Sequence, residues 1–268
     1  MAQQRFITLT TDFGGSDHYV GAIKGVIYGI NPSALVVDIA HGVASYDVLD
    51  GALAIAQAYS YFPPDTIHVV VVDPGVGSAR RPIVARTEKH FFVAPDNGVL
   101  SLALEREQRV HVREISSDHY FLQPVSQTFH GRDVFAAVAA WLSKGVEFAK
   151  LGDEITDYVR FRAPRPKRIE NGSIQGVVLK VDKFGNVVTN ITREDVPHLF
   201  AAESPQFKIL ISRHEITTLR TAYADGAPGE VFGILGSMGF LELSTNRGSA
   251  ARALEAGKGT EVVVSGKW

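Results

Sequence analysis

Apolar residues follow two different rhythms along this chain, and the change between them near residue 165 divides it. In the first part, short apolar runs alternate with stretches of helical spacing. Residues 6–10 read as a strand, 19–30 as a helix closed by Asn31-Pro32, 34–39 as a second strand and 48–61 as an alanine-rich helix closed by Phe62-Pro63-Pro64. Residues 67–72, with valine at each of positions 69–72, read as a central strand buried on both faces, the kind that lies inside a covered parallel sheet. Two shorter strands at 83–86 and 91–94 make a hairpin bent at Glu88-Lys89, residues 99–104 start a brief helix, 110–115 give another strand and 134–142 an apolar helix. Alternation of this kind marks an α/β unit with right-handed crossovers. Beyond Asn171 the texture becomes short strands separated by turn residues, at 173–181, 187–191, 207–211, 214–219, 231–235, 240–244 and 261–264, with a helical turn or two at 250–256. That spacing predicts a small β-barrel. The fold expected is therefore α/β: a sandwich-like domain with a mainly parallel sheet over 1–162, a Pro- and Arg-rich linker over 163–170 read as a solvated joint, and a smaller β-barrel domain over 171–268.

Polar residues gather where these strands end. The central strand runs into Asp73, and Pro74 removes the next backbone donor while restricting the residue before it. Gly75 and Gly77 permit a tight turn, with Arg80 and Arg81 close behind. A carboxylate at the carboxyl end of a central strand lies where open α/β sheets bind ligands. A structural Asp-Arg bridge pinning the loop would leave the same pattern. Asp12 ends the first strand in the same way, and Thr128-Phe129-His130-Gly131-Arg132-Asp133 crowds in front of a helix, near its unpaired amide donors.

Composition narrows the classes of function. With 27 basic and 29 acidic residues the net charge is −2, and no basic cluster interleaves with aromatics, so a nucleic-acid partner is not expected. The chain has no cysteine, which excludes disulfides, thiolate metal sites and cysteine nucleophiles and fits a reducing, cytoplasmic setting. The first residues lack the apolar core of a signal peptide, and no apolar run is long enough for a membrane span.

The chemical candidates thin out in turn. Nine histidines include no His-x-x-x-His pair, so no metal is expected, although a two-metal hydrolase built on Asp12, Asp38, Asp73 and His130 stays open. Neither a Gly-x-Gly-x-x-Gly loop, a Walker lysine nor a Gly-x-Ser-x-Gly elbow is present. There remain Asp73, Arg80 and His130. Arginine stays charged and can hold a carboxylate or stabilise an anionic nucleophile, histidine can move a proton near neutrality, and aspartate can orient water.

Six motifs, in order, make the chain resemble the S-adenosyl-L-methionine (SAM) hydrolases that form adenosine, the SAM hydroxide adenosyltransferases, relatives of fluorinating and chlorinating enzymes. They are Thr11-Asp12-Phe13-Gly14, the run from Val72 to Arg81, Ala94-Pro95-Asp96-Asn97-Gly98, Phe129-His130-Gly131-Arg132-Asp133, Asp182-Lys183-Phe184-Gly185-Asn186 and the run from Gly236 to Glu242. The resemblance implies hydrolysis of SAM, with water as co-substrate and no further cofactor, in a homotrimer whose sites lie between subunits. It places water activation on Asp73, Arg80 and His130, ribose binding on Asp12, a nucleoside-lining aromatic at Tyr46, and further substrate contacts on Asp182, Phe184, Asn186 and Ser237. Halogenating relatives replace the motif aspartate and carry an extra loop shortly after it. Here Asp73 remains, and residues 81–94 leave no room for a long insertion. A SAM-dependent halogenase and a non-catalytic nucleoside-binding trimer are the alternatives.

Overall fold

The computed structural model describes residues 5–201 and 206–266. Residues 1–4, 202–205 and 267–268, which fall inside the expected domain spans, lie outside the described residues. The chain forms two compact units, Met1–Arg162 and Ala163–Trp268.

The first unit is built on β1 (Phe6–Thr11), α1 (Tyr19–Ile30), β2 (Leu35–Ala40), α2 (Val48–Ala58), β3 (Thr66–Val71), β4 (Pro82–Arg86), β5 (His90–Pro95), α3 (Ser101–Leu104), β6 (His111–Glu114), α4 (Ala137–Ser143) and β7 (Glu154–Ile155). Its seven strands lie in the order β2-β1-β3-β5-β4-β6-β7. The ladders β1/β2, β1/β3 and β3/β5 are parallel, and β4/β5, β4/β6 and β6/β7 are antiparallel, so the sheet is mixed. All six residues of β3 are buried, as its apolar run requires of a central strand. Helix α1 buries Ile23 and Ile27, one turn apart on one face, and α2 starts where Asp47 accepts a hydrogen bond from the Asp50 N–H. Gly51 lets α2 approach the sheet, since a Cβ there would sit 2.8 Å from Val72 Cγ2.

Beyond β3 the main chain leaves the ladder, and the Asn97 side-chain amide donates to Val72 O at 2.8 Å in place of a strand neighbour. Asp96, also from the Pro95-Asp96-Asn97-Gly98 motif, is buried; it accepts from Arg81 Nη2 at 2.7 Å and from the Val159 N–H at 2.7 Å. Arg81 donates again to Asp157 at 2.9 Å, and Ser101 Oγ accepts from the Phe161 N–H at 3.0 Å. The segment 157–161 is thus tied to the α/β unit by the side chains of Arg81, Asp96 and Ser101. Helical structure before α4 begins earlier than the apolar pattern suggested, with a wide π turn over Gly131–Ala136.

The second unit is a sheet whose named strands pair antiparallel, β8 (Lys167–Arg168), β9 (Ile174–Val181), β10 (Val187–Thr192), β11 (Phe207–Ile211), β12 (His214–Ile216), β13 (Val231–Leu235), β14 (Phe240–Thr245) and β15 (Glu261–Gly266), with a short α5 (Ala250–Ala253). Its order is β12-β11-β15-β9-β10-β14-β13, with β8 on β9. Lys167 and Arg168, in the stretch expected to be a linker, pair with Gln175 and Ile174 as an edge strand. The strand expected over 214–219 breaks after Ile216, and the chain beyond it meets the opposite end of the sheet: the Gly233 N–H donates to Thr218 O at 2.9 Å and the Arg220 N–H to Gly233 O at 3.0 Å. Those bonds nearly close the sheet into the expected barrel. Gly233 is required there, because a Cβ would lie 2.8 Å from Leu219 Cδ2. Isoleucine, leucine and valine side chains such as Ile191, Ile209, Leu241 and Val262 fill the interior. Among the described residues no helix is long and apolar enough to cross a membrane.

Candidate active site

Thr11 and Val71 are paired on neighbouring parallel strands, so Asp12 and Asp73, one and two residues further on, emerge side by side at one sheet end. They line a cleft of about 380 Å³ in the first unit together with Tyr46, Thr128, Phe129 and His130. Asp12 Oδ2 accepts the Tyr46 N–H at 2.8 Å. Tyr46 has a left-handed backbone (φ 66°) and a side chain 75% exposed at the lip of the cleft.

Arg80 reaches this site because the loop after Asp73 folds back on itself. Ser78 Oγ donates to Gly75 O at 2.6 Å, and Gly77 has φ 76° with its α-carbon pressed against the Gln127 carbonyl, where no Cβ fits. Nε of Arg80 lies 3.0 Å from each oxygen of Asp73, and Nη2 donates both to Asp73 Oδ2 and, at 2.8 Å, to His130 Nδ1. The Arg80 and Asp73 side chains are only 9% and 5% exposed, and the guanidinium lies over the Phe135 ring at 5.2 Å. Arg80 Nη1 is buried and makes no hydrogen bond among the described residues. Arg80 is not part of the cleft lining: it stands behind Asp73 and His130, which are.

The bond from Arg80 decides the state of His130. A guanidinium can only donate, so Nδ1 must carry a lone pair and the ring proton sits on Nε2. Burial, then the nearby Arg80 charge, lowers the His130 pKa below its ordinary value against the smaller pull of Asp73 and Asp133. Its neighbours in the motif are structural. Asp133 is fully buried, receives Arg132 Nε at 2.6 Å and the Ser126 N–H at 2.8 Å, and so ties the loop before His130 to the helix after it.

The two-metal alternative loses a ligand, since Asp38 is not in this cleft and is bound instead by Lys24 Nζ at 2.6 Å.

In the second unit, Asp182, Phe184 and Asn186 occupy the β9–β10 turn. Asp182 Oδ1 accepts the N–H groups of Phe184 and Asn186, both at 2.8 Å, and Oδ2 accepts Asn186 Nδ2 at 2.8 Å. Asp182 therefore shapes the turn, and Phe184 is left 75% exposed. Phe184 and Asn186 line an open cleft of about 610 Å³ with Tyr223, Arg247, Ser249 and Arg252. Ser237 lies outside that lining, exposed in the β13–β14 turn. Nearby, Glu242 is buried and accepts from the Tyr223 hydroxyl at 3.0 Å; burial raises its pKa, and burial with the Glu242 charge pushes that of Tyr223 up to about 12.

Sequence reasoning missed Phe13 and Tyr19, which also line the first cleft, although Phe13 stood in a quoted motif. Tyr19 gave only the signal of a helix face. Phe135, beneath Arg80, looked like core.

An α/β unit that joins an Asp-Arg-His set from a strand end, the loop after it and a helix start, followed by a nearly closed barrel, defines the class. A family model described as the SAM hydroxide adenosyltransferase N-terminal domain matches residues 7–152, and one for the C-terminal domain of the same family matches 176–263. The chain belongs to the SAM hydroxide adenosyltransferase family. It is 35% identical to the (R)-S-adenosyl-L-methionine hydrolase of Salinispora tropica, covering 99% of each chain, and 35% identical to that of Thermus thermophilus, covering 96% of this chain and 98% of the relative. A fluorinase of Nocardia brasiliensis is 27% identical over 96% of each. Among solved structures, a conserved protein from Thermotoga maritima superposes with a TM-score of 0.89 at 38% identity, covering 96% of this chain and 99% of the other.

Proposed function

We propose that this protein hydrolyses SAM to adenosine and L-methionine, by in-line attack of water on the ribose 5′ carbon. The observation that carries the reading is the joining of Asp73, Arg80 and His130 at the cleft, in a chain that matches SAM hydrolases along 99% of its length.

The substrate's sulfonium makes the leaving group easy. As the new C–O bond forms, the C–S electron pair returns to sulfur and methionine departs as a neutral thioether, so no general acid is needed. Catalysis reduces to holding one water in line and accepting the proton it loses. Asp73 offers an anionic acceptor in the cleft. His130, as the Nε2–H tautomer, can donate to the water oxygen and so fix its orientation. Arg80 holds the Asp73 carboxylate through Nε and Nη2 and holds His130 in that tautomer; it acts as a positioning residue behind the two groups that meet the substrate. Asp12, with Oδ2 engaged by Tyr46 N–H, leaves Oδ1 for the ribose hydroxyls. An anionic Asp73 beside the reacting carbon repels halide and tolerates water, which separates this site from a halogenating one.

We assign Phe184, Asn186 and Ser237 to contact with the remaining parts of SAM, and Asp182 to shaping the turn that presents two of them. The assembly proposed is a homotrimer with sites between neighbouring subunits. The family resemblance supports it.

Incubation with SAM in water enriched in heavy oxygen tests the reaction. Mass analysis should find adenosine labelled on the 5′ oxygen together with free methionine, with or without added chloride or fluoride. A 5′-halogenated nucleoside as main product would replace hydrolysis with halogenation, and SAM bound but recovered intact would reduce the protein to a binder.

A further inference from the structure

Three aromatic rings wall the cleft beside Asp73 and His130, and water activation gives them no task. Phe13 follows Asp12 directly, Tyr19 opens α1 and Phe129 directly precedes His130; all three line the cavity. Ring centroids lie 5.7 Å apart for Phe13 and Tyr19, 5.2 Å for Tyr19 and Phe129, and 5.9 Å for Phe13 and Phe129, with planes inclined by 52°, 86° and 74°. Rings inclined like this form a corner rather than a stack. Gly131 leaves room for it, since a Cβ there would sit 3.2 Å from Phe13 Cζ and 3.3 Å from Phe129 Cε2. The rest of the lining includes three carboxylates, Asp12, Asp17 and Asp73, the last paired with Arg80 behind it, and neither lysine nor arginine. The cleft is thus built for a cation with an apolar surface.

A sulfonium is such a cation. It carries a full positive charge and has no N–H or O–H to donate, so ring faces and fixed anions are the groups that can recognise it. In SAM the sulfur is bonded directly to the carbon that water attacks, so any pose that brings that carbon to Asp73 and His130 brings the charge into this cleft. Building on the hydrolase reading, we propose that Phe13, Tyr19 and Phe129 form an aromatic corner that recognises the sulfonium of SAM and discriminates against neutral thioethers. Phe129 already holds the Arg132 guanidinium over its ring at 5.1 Å, so one of its faces is taken, and Phe13 and Tyr19 carry most of the selectivity. Because the positive charge vanishes as the C–S bond breaks, the rings hold the substrate more tightly than the transition state or the products. Their contribution is capture of the charged substrate and release of neutral sulfur.

The test compares Tyr19→Leu, Phe13→Leu and Tyr19→Phe with the parent protein. The readouts are the KM for SAM and the inhibition constants of S-adenosyl-L-homocysteine, the neutral thioether lacking the methyl group, and of adenosine, which has no sulfur. Each leucine variant is expected to raise the KM for SAM roughly 3- to 10-fold, with the loss in KM rather than kcat and both inhibition constants within about twofold of the parent. Tyr19→Phe, which keeps a ring, should restore the parent KM. A parallel rise for the thioether, or an unchanged KM, would overturn the proposal by making the corner an ordinary apolar wall. Loss of adenosine inhibition in one leucine variant marks a damaged pocket and leaves the decision to the other; in both, it makes the rings structural and overturns the proposal. A parent protein that turns over no SAM would remove the hydrolase reading itself, an outcome separate from a parent that turns over SAM without telling sulfonium from thioether.

Discussion

Arg80 ties Asp73 to His130 while lying outside the cleft lining. It donates to a carboxylate through Nε and Nη2 and to an imidazole through Nη2, and each bond fixes its partner: the Asp73 carboxylate in position, His130 as an acceptor at Nδ1. His130→Ala should lower kcat by about 100-fold, as loss of the group that aligns the attacking water does, with KM for SAM little changed. Arg80→Ala should do the same, but it also leaves a buried carboxylate without its cation, a change that costs about 3–5 kcal/mol. Arg80→Lys keeps the charge without the planar fork, and should fall between the parent and alanine in kcat. Asp12→Ala should act chiefly on KM. Steady-state kinetics beside thermal melting separates these outcomes, and equal losses of affinity in all variants with kcat preserved would remove the division of labour. The sequence placed Asp73, Arg80 and His130 as candidates by motif and strand-end position. It could not place Arg80 behind the other two, because that depends on where a loop folds.

At the scale of elements, the strands that carry the site also bury ionisable groups that the reaction does not use. His68 on β3 is fully buried, with Nδ1 2.7 Å from Thr8 Oγ1 on β1 and Nε2 3.4 Å from His90 Nδ1 on β5. The Tyr59 ring stands edge-on to His90 at 5.6 Å, and its hydroxyl donates to Glu107 at 2.7 Å. Burial, reinforced by His90, lowers the His68 pKa to about 3. Since the unfolded chain takes up this proton near pH 6.5 and the folded chain resists it, folding is fully favoured above about pH 6.5 and weakened as pH falls towards about 3, by up to about 5 kcal/mol. Denaturant melts between pH 7 and 4 should show this decline, and His68→Gln should flatten it; an unchanged slope would rule His68 out as its source. In the sequence these histidines gave no metal-ligand spacing. Only the parallel pairing of β1, β3 and β5 shows which of them share the interior.

At the scale of the whole molecule, the two units differ in how they are held together, one by helices on a mixed sheet and one by a sheet nearly closed on itself. Each carries a cleft with part of the expected ligand set. If the working particle is a homotrimer, sedimentation at micromolar concentration should give three times the chain mass, with no loss of SAM turnover on dilution until the trimer dissociates; a monomer with full activity would remove intersubunit sites. Much of the architecture was legible beforehand because apolar periodicity is a local property: a strand repeats every second residue and a helix every 3.6, whatever lies around it. Strand ends were legible for the same reason, since Pro74 and the glycines act within one or two residues. Contacts between residues distant in sequence were not. The tie of Asp96 to the segment 157–161, the closure of the barrel through Gly233 and the meeting of Phe13 and Tyr19 with Phe129 all depend on packing across long loops. The sequence by itself determined which elements form and which residues stand at their ends. The tertiary structure alone decided which of those residues touch, because a contact between distant segments is set by how the sheet is ordered and how close its loops can approach, and neither leaves a local mark.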